Sequence, residues 1–410
     1  MFKISSHFSL GLKVLIGMII GCAIGNLAPQ FKNYAHLGAD IYIKLIKMII
    51  VPTIFCALVT GITSVEQASL VKKLSLKAAG VYLFFTISAV LLGLSLGSIF
   101  KPGLRFILPG AATASTQVAA GVKALAPLLL DVVPENPVAA LAYGHILQVV
   151  LVAVLFGTAI VLVGDAAKAC KDFMQSLNSV VFKIVSLVVQ TTPYGVAAIM
   201  AWVIAQYGGA MIWRMGKLGA VILIAFLVQY GLFGVFLRLV KLKALPFYRK
   251  TLDVQSLALA TSSSKATIGT AIVDLETKLG VSKTTANLVL PLGATINMSG
   301  SAIYIVICAL FFAQSLSVTL SLHQYLVLIL TATIGSIGAA GYPSGAVLML
   351  GMVLPSIGLP IEGLPLIMGI DRLLDMFRTV VNVTGDCAAT VIVDQLSNSL
   401  ETQVYHSTTE

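Results

Sequence analysis

Apolar runs of about 20 residues recur along the chain from Leu10 to Val393, the length an α-helix needs to cross the hydrocarbon of a bilayer. The first six lie at about 10–28, 38–64, 77–100, 126–168, 177–207 and 215–241. The fourth is too long for one straight crossing and holds Pro127, Pro134 and Pro137, which predicts a broken helix. The first carries Gly17, Gly21 and Gly25, a face on which membrane helices pack closely. That stripe favours a transmembrane helix over a signal peptide, despite the signal-like length of Met1–Ala28.

Beyond residue 245 the pattern changes. Ser, Thr, Gly and Pro interrupt the apolar segments at four places: Thr261–Thr270, Ala294–Ala302, Ser336–Gly345 and Val380–Asp386. Irregular backbone at membrane depth is tolerated only where protein or a wet cavity satisfies its polar groups, so the four are expected to meet around one site. They form two matched pairs. A Ser-rich tip at Ser262–Ser264 precedes Asn297-Met298-Ser299-Gly300, and a second tip at 336–345 precedes Asn382-Val383-Thr384-Gly385. Interrupted segments at corresponding places in two halves mark the inverted repeats of secondary transporters. Both echoes match a glycosylation sequon, but each is flanked by apolar helix.

The last break carries the chemistry. On a helix of 100° per residue, Asp371, Asp375, Arg378, Thr379, Asn382 and Asp386 share an arc of about 100°, with Leu373, Met376, Phe377, Val380, Val381 and Val383 opposite. An ionised side chain at mid-bilayer costs about 2.5–3.5 kcal/mol on insertion scales, so these groups need partners or ligands. Internal pairing of Asp375 with Arg378 would be purely structural. Against it, three acids on the stripe face one base, Arg372 lies off its centre, and Asp386 lacks an arginine of its own. A guanidinium fork suits a carboxylate, Asp375 suits an ammonium, and helix ends at the hairpin tips suit a second carboxylate. Asp386, Asn297, Asn382 and unwound carbonyls are hard oxygen ligands for a small cation.

Composition agrees with a membrane protein. Of 410 residues, 58% are hydrophobic and 10% charged, against about 25% charged in a soluble domain. The net charge is +10, and its distribution reads as topology, not nucleic-acid binding. Lys72, Lys73, Lys77, Lys168, Lys171, Arg238, Lys241, Lys243, Arg249 and Lys250 fall on one side if each run crosses once. Basic loops stay inside, which puts the N-terminus in the cytoplasm. Cys22, Cys56, Cys170, Cys308 and Cys387 form no disulfide or metal spacing, and no cofactor is expected. Gly341-Tyr342-Pro343-Ser344-Gly345 has the look of a serine turn, but no histidine lies in any of the four breaks, so neither a Ser–His hydrolase nor another enzyme is supported. Paired gates disfavour a passive channel.

The triple serine Ser262–Ser264, LPLGATINMSG at Leu290–Gly300, the long motif Ser336–Pro360 and GIDRLLDMFRTVVNVTGD at Gly369–Asp386 together resemble the dicarboxylate/amino acid:cation symporter family, the glutamate transporter homologues. The resemblance covers most of the chain. It implies an all-α polytopic membrane protein of eight transmembrane helices and two re-entrant hairpins, assembled as a homotrimer in the cell (inner) membrane, with both termini cytoplasmic. It divides the chain into scaffold helices 1–2 (1–76), transport helix 3 (77–100), scaffold helices 4–5 (101–212) and a transport domain (213–397). That domain holds helix 6, hairpin 1 at about 246–280, helix 7 at about 282–314, hairpin 2 at about 322–362 and helix 8 at about 364–397, before a cytoplasmic tail at 398–410. Transport would proceed by an elevator motion with hairpin 2 as outer gate.

The resemblance places substrate contacts at Ser263, Ser301, Tyr342, Asp375, Arg378, Thr379 and Asn382. One sodium site falls on Gly293, Asn297, Asn382 and Asp386, and a second on Thr295 with Ser336, Ile337 and Ala339. A third would draw on Tyr82, Thr86 and Ser299, but Ser299 and Ser301 stand where the family usually has aspartate and threonine, and Phe85 where a threonine is common. Thr261 replaces an arginine of archaeal-type relatives. The leading expectation is a sodium-coupled symporter for glutamate or aspartate. The alternatives are proton coupling, or a neutral amino acid or C4-dicarboxylate carrier. Arg378 argues against a neutral substrate, and Asp375 against a dicarboxylate that has no ammonium.

Overall fold

The computed structural model describes residues 10–63, 69–104, 106, 133–144, 146–208, 210–338, 345–361 and 364–407. Its first helices are α1 (Leu10–Leu27), α2 (Lys32–Thr63), α3 (Ser69–Phe100), α4 (Pro137–Tyr143), α5 (Ile146–Val163), α6 (Lys168–Gln190), α7 (Thr192–Tyr207) and α8 (Ala210–Leu239). The interrupted region follows as α9 (Ala244–Lys250), α10 (Leu252–Thr261), α11 (Ser264–Thr277), α12 (Lys283–Ile296) and α13 (Ser299–Ser315). It continues as α14 (Leu322–Gly338), α15 (Gly345–Ser356), α16 (Leu364–Leu396) and α17 (Thr402–His406).

Three expectations need correction. The run at 177–207 is not one helix: α6 ends at Gln190 and α7 begins at Thr192, since Pro193 has no N–H to continue the ladder. The third helix begins at Ser69, so Lys72, Lys73 and Lys77 lie on it and not in a loop. The Val380–Asp386 stretch is not a break: α16 runs unbroken through it, no proline intervenes, and Thr379 and Thr390 turn their hydroxyls inward onto the Asp375 and Asp386 carbonyls one turn back. The last described residues dock on the rest of the protein. Tyr405 is fully buried, Glu401 N–H donates to Gly280 O at 2.9 Å, and Tyr405 Oη donates to Lys243 O at 2.8 Å. Lys250 Nζ donates to the carbonyls of Val404 at 2.7 Å and Tyr405 at 3.1 Å, a cation at a helix C-terminus. Lys77 does the same for α16, donating to Leu396 O at 2.9 Å.

Packing follows side-chain size. α1 lies on α7 in parallel register: Gly17, Gly21 and Gly25 face Pro193, Ala197 and Ala201. A Cβ built on Gly21 would sit 2.9 Å from Ala197 Cα, and one on Gly25 would sit 2.6 Å from Ala201 O. Lipid tails supply no hydrophobic drive between helices, so such backbone contact carries the association. α2 packs on α5, α6 and α7, whereas α3 packs on α13 and α16.

Hairpin 1, α10–α11, rests on α12 and α16, and hairpin 2, α14–α15, rests on α13 and α16. In the most apolar 18 residues of Lys283–Ser315, 94% are buried, and 83% in those of Ile370–Leu396, against 17% in those of Leu151–Val188. α13 can be apolar all round because it is enclosed all round. Hairpin 1 turns at Ser262, whose φ is 51°, and its open end is tied by Lys278, which pairs with Asp253 at 2.7 Å and Asp274 at 2.9 Å. These two carboxylates hold the Lys278 ammonium above its ordinary range.

Replacing Gly21 with valine should overpack α1 against α7 and cost about 1–3 kcal/mol. A thermal unfolding midpoint in detergent that matches the wild type would contradict the close contact.

Candidate functional site

The centre of the molecule is where α12 stops and α13 starts. Asn297 and Met298 leave helical geometry, so α12 ends in free carbonyls and α13 begins in free N–H groups. The first end favours a cation, and the second an anion. α16 runs past this gap and fills it. Gly300 N–H donates to Asn382 Oδ1 at 2.8 Å, and Asn382 Nδ2 reaches Ser301 Oγ at 3.4 Å and Met298 Sδ at 3.3 Å. Asn297 Nδ2 donates to Asp386 Oδ1 at 3.0 Å. The two Asn-x-Ser/Thr-Gly echoes therefore face one another.

Two glycines allow this approach. A Cβ on Gly300 would lie 2.7 Å from Arg378 O, and one on Gly293 would lie 3.0 Å from Asp386 Oδ1 and 3.1 Å from Tyr82 Oη. The structure thus gathers Gly293, Asn297, Asn382 and Asp386 at one point. Ser299 joins them through a 3.3 Å bond from its hydroxyl to Asn297 Oδ1. Tyr82 joins from α3, donating to Val289 O at 2.5 Å, and Thr86 is buried one turn on. Thr295 is on α12, which packs on α14, where Ser336 is fully buried and Ile337 half-buried. Ser336 gives its hydroxyl proton to Thr333 O at 2.8 Å. Ala339 and Tyr342 lie outside the described residues.

The polar stripe of α16 faces protein, not lipid. Asp371, Asp375 and Asp386 are 1% exposed and Arg378 2%, whereas Leu373 and Phe377 on the opposite face exceed 40%. Val381 and Val383, expected on the outer face, are buried as well, because α8, α12 and α13 enclose this part of α16. Arg378 Nη1 binds Asp371 Oδ1 at 2.9 Å, Nη2 pairs with Asp375 Oδ1, and the guanidinium lies 4.6 Å from the Tyr304 ring centroid. Asp375 Oδ2 in turn meets Arg372 Nη1 at 3.2 Å. Two acids and two bases therefore form a neutral chain, and Asp375 already has cationic partners without an ammonium. This removes the ground on which Asp375 argued against a dicarboxylate.

Ser263, half-buried, starts α11 at the tip of hairpin 1, with its N–H on Thr261 Oγ1 at 3.3 Å. The flanking Ser262 and Ser264 hydroxyls are buried with no partner among the described residues. α10 and α11 pack on α16, so this tip belongs to the same central assembly. Sequence reasoning gave no role to Arg372, Asp371 or Tyr304. Tyr304 lies three residues from Ser301 and shares its helix face, a signal that was available.

Half-helix ends around buried ions, with two hairpins packed against the same helix α16, define a multi-pass membrane carrier of the secondary-transport class. The chain belongs to the sodium:dicarboxylate symporter family, whose model matches residues 10–396. A C4-dicarboxylate transport protein of Acidovorax ebreus (strain TPSY) is 33% identical, the match covering 98% of this chain and 91% of that protein. Proteins of the same description from Brucella anthropi (33% identical, 95% and 89% covered) and Stenotrophomonas maltophilia R551-3 (32%, 95% and 88%) are also similar to it.

Asp386→Asn keeps the shape beside Asn297 and removes the charge. The ion concentration for half-maximal uptake should rise at least about tenfold, or about 1.4 kcal/mol. An ion titration that overlays the wild type would rule out a cation role for Asp386.

Proposed function

We propose that this protein is a secondary active symporter of C4-dicarboxylates, coupled to sodium. The observation that carries the reading is the neutral chain Asp371–Arg378–Asp375–Arg372. It presents a guanidinium fork able to take a carboxylate while leaving Asp375 compensated by Arg372. The full-length similarity to C4-dicarboxylate transport proteins supports the same substrate class.

In this reading Arg378 holds one solute carboxylate. The second meets the N-terminal ends of α11 and α13, with Ser263, Ser301, Thr379 and Asn382 around it and Tyr342 from the second hairpin. Gly293, Asn297, Asn382 and Asp386 hold a sodium ion at the carbonyl end of α12. Thr295 with Ser336, Ile337 and Ala339 serves a second. Tyr82, Thr86 and Ser299 lack the charge to make a third strong site. A proton as coupling ion is the alternative, tested by omitting sodium.

A second reading keeps one specific observation in its favour: Asp375 sits one turn from Arg378, placed to accept the ammonium of aspartate or glutamate if Arg372 yields. We further propose that α1, α2 and α4–α7 stay fixed in a homotrimer, with cytoplasmic termini, while α3 and α8–α16 move as an elevator gated by α14–α15. The separate packing of α2 and of α3 supports this division.

Purified protein in liposomes should accumulate labelled succinate above its external concentration when sodium is imposed outside, and Arg378→Ala should weaken succinate by about 2 kcal/mol or more. Aspartate uptake without succinate uptake would favour the second reading. Downhill equilibration alone would refute symport.

A further inference from the structure

Arg372 lies outside the arc of the α16 stripe, yet it is nearly fully buried, and its Nη1 meets Asp375 Oδ2 at 3.2 Å. Asp375 is a hub: its other oxygen is on Arg378 Nη2. Arg378 is further engaged by Asp371 Oδ1 at 2.9 Å. Arg372 Nε and Asp371 Oδ2 have no partner among the described residues. From α2, Tyr42 interacts electrostatically with Asp371, Arg372 and Asp375, but its hydroxyl donates to Thr192 Oγ1 at 3.1 Å and it carries no positive charge.

We propose that Arg372 is a positioning residue that sets solute selectivity by serving as the resident counter-ion of Asp375. The proposal rests on the carrier reading above. A solute carboxylate that takes the Arg378 fork must displace a carboxylate already bound there. Asp375, released from Arg378, then relies on the cation of Arg372 at 3.2 Å, and a buried carboxylate that loses its compensating charge is unfavourable by far more than a lost hydrogen bond.

An amino acid answers this with its own ammonium. A plain dicarboxylate has none, so the protein must supply the cation, and Arg372 is already in place to do so. Its unpartnered Nε gives it a further donor for the second contact. Arg372 thus makes Asp375 neutral towards a dianion and, by occupying it, unreceptive to an ammonium. Removing Arg372 should turn the same aspartate into a demand for an amino group.

The test compares apparent affinities for succinate and aspartate in liposomes for wild type, R372Q, R372K and R372Q/D375N. In R372Q the succinate-to-aspartate preference should fall at least about tenfold, equivalent to about 1.4 kcal/mol. R372K should keep the wild-type preference. R372Q/D375N, which removes both charges together, should recover succinate relative to R372Q and prefer it over aspartate at least as strongly as the wild type. Equal loss of both solutes in R372Q, or no recovery in the double variant, overturns the proposal. Should R372Q fail to assemble, the double variant decides: a shift of preference towards aspartate overturns the proposal. Wild type that takes up neither solute refutes the carrier reading instead, a result distinct from a carrier whose preference ignores Arg372.

Discussion

The structure depends on charge compensation away from water. An isolated ion in hydrocarbon is unfavourable enough to expel a helix from the membrane or force it to bury. Here Asp371, Arg372, Asp375 and Arg378 compensate one another along two turns of α16. That chain must be enclosed, and the enclosure needs a helix on every side. α13 and the two hairpins supply it. The burial of α16 follows from the ions it carries.

The broken helix is the second half of the same logic. Opening α12–α13 at Asn297 frees backbone groups that would be intolerable against lipid. They are tolerable here because α16 encloses the gap: Asn382 Oδ1 accepts from the Gly300 N–H, and Asp386 accepts from the Asn297 side chain beside it. The gap exposes helix ends of opposite polarity within a few ångströms, so one small volume serves both an anion and a cation. Coupling between solute and ion has a physical basis in that proximity, since each reduces the uncompensated charge left for the other.

Much of this was legible in the chain itself. Periodicity placed Asp371, Asp375, Arg378, Thr379, Asn382 and Asp386 on one face, and that face is buried. The spacing of Gly17, Gly21 and Gly25 marked the contact with α7. The paired Asn-x-Ser/Thr-Gly echoes marked two segments that touch. Other features escaped because composition does not reveal backbone continuity. Polar residues at Asn297 end a helix, while similar ones at Asn382 do not, and the difference lies in which neighbour accepts or donates. Arg372 escaped because a long side chain reaches around a helix, so its guanidinium acts well away from where its Cα points. The docking of residues 401–405 escaped because it rests on hydrogen bonds to main-chain carbonyls, which any residue offers, between segments more than 100 residues apart.

That docking bears on how the chain is made. Lys250, Lys243 and Gly280 sit at the base of hairpin 1, and their partners are Tyr405, Val404 and Glu401. On the ribosome, these partners emerge some 120 to 160 residues later than the sites that receive them. Until then the base of hairpin 1 lacks its fastening and Lys250 lacks its acceptors. Newly inserted chains therefore pass through a stage in which the helices are threaded but hairpin 1 is unclasped, and completion of biogenesis is a local event at the membrane surface.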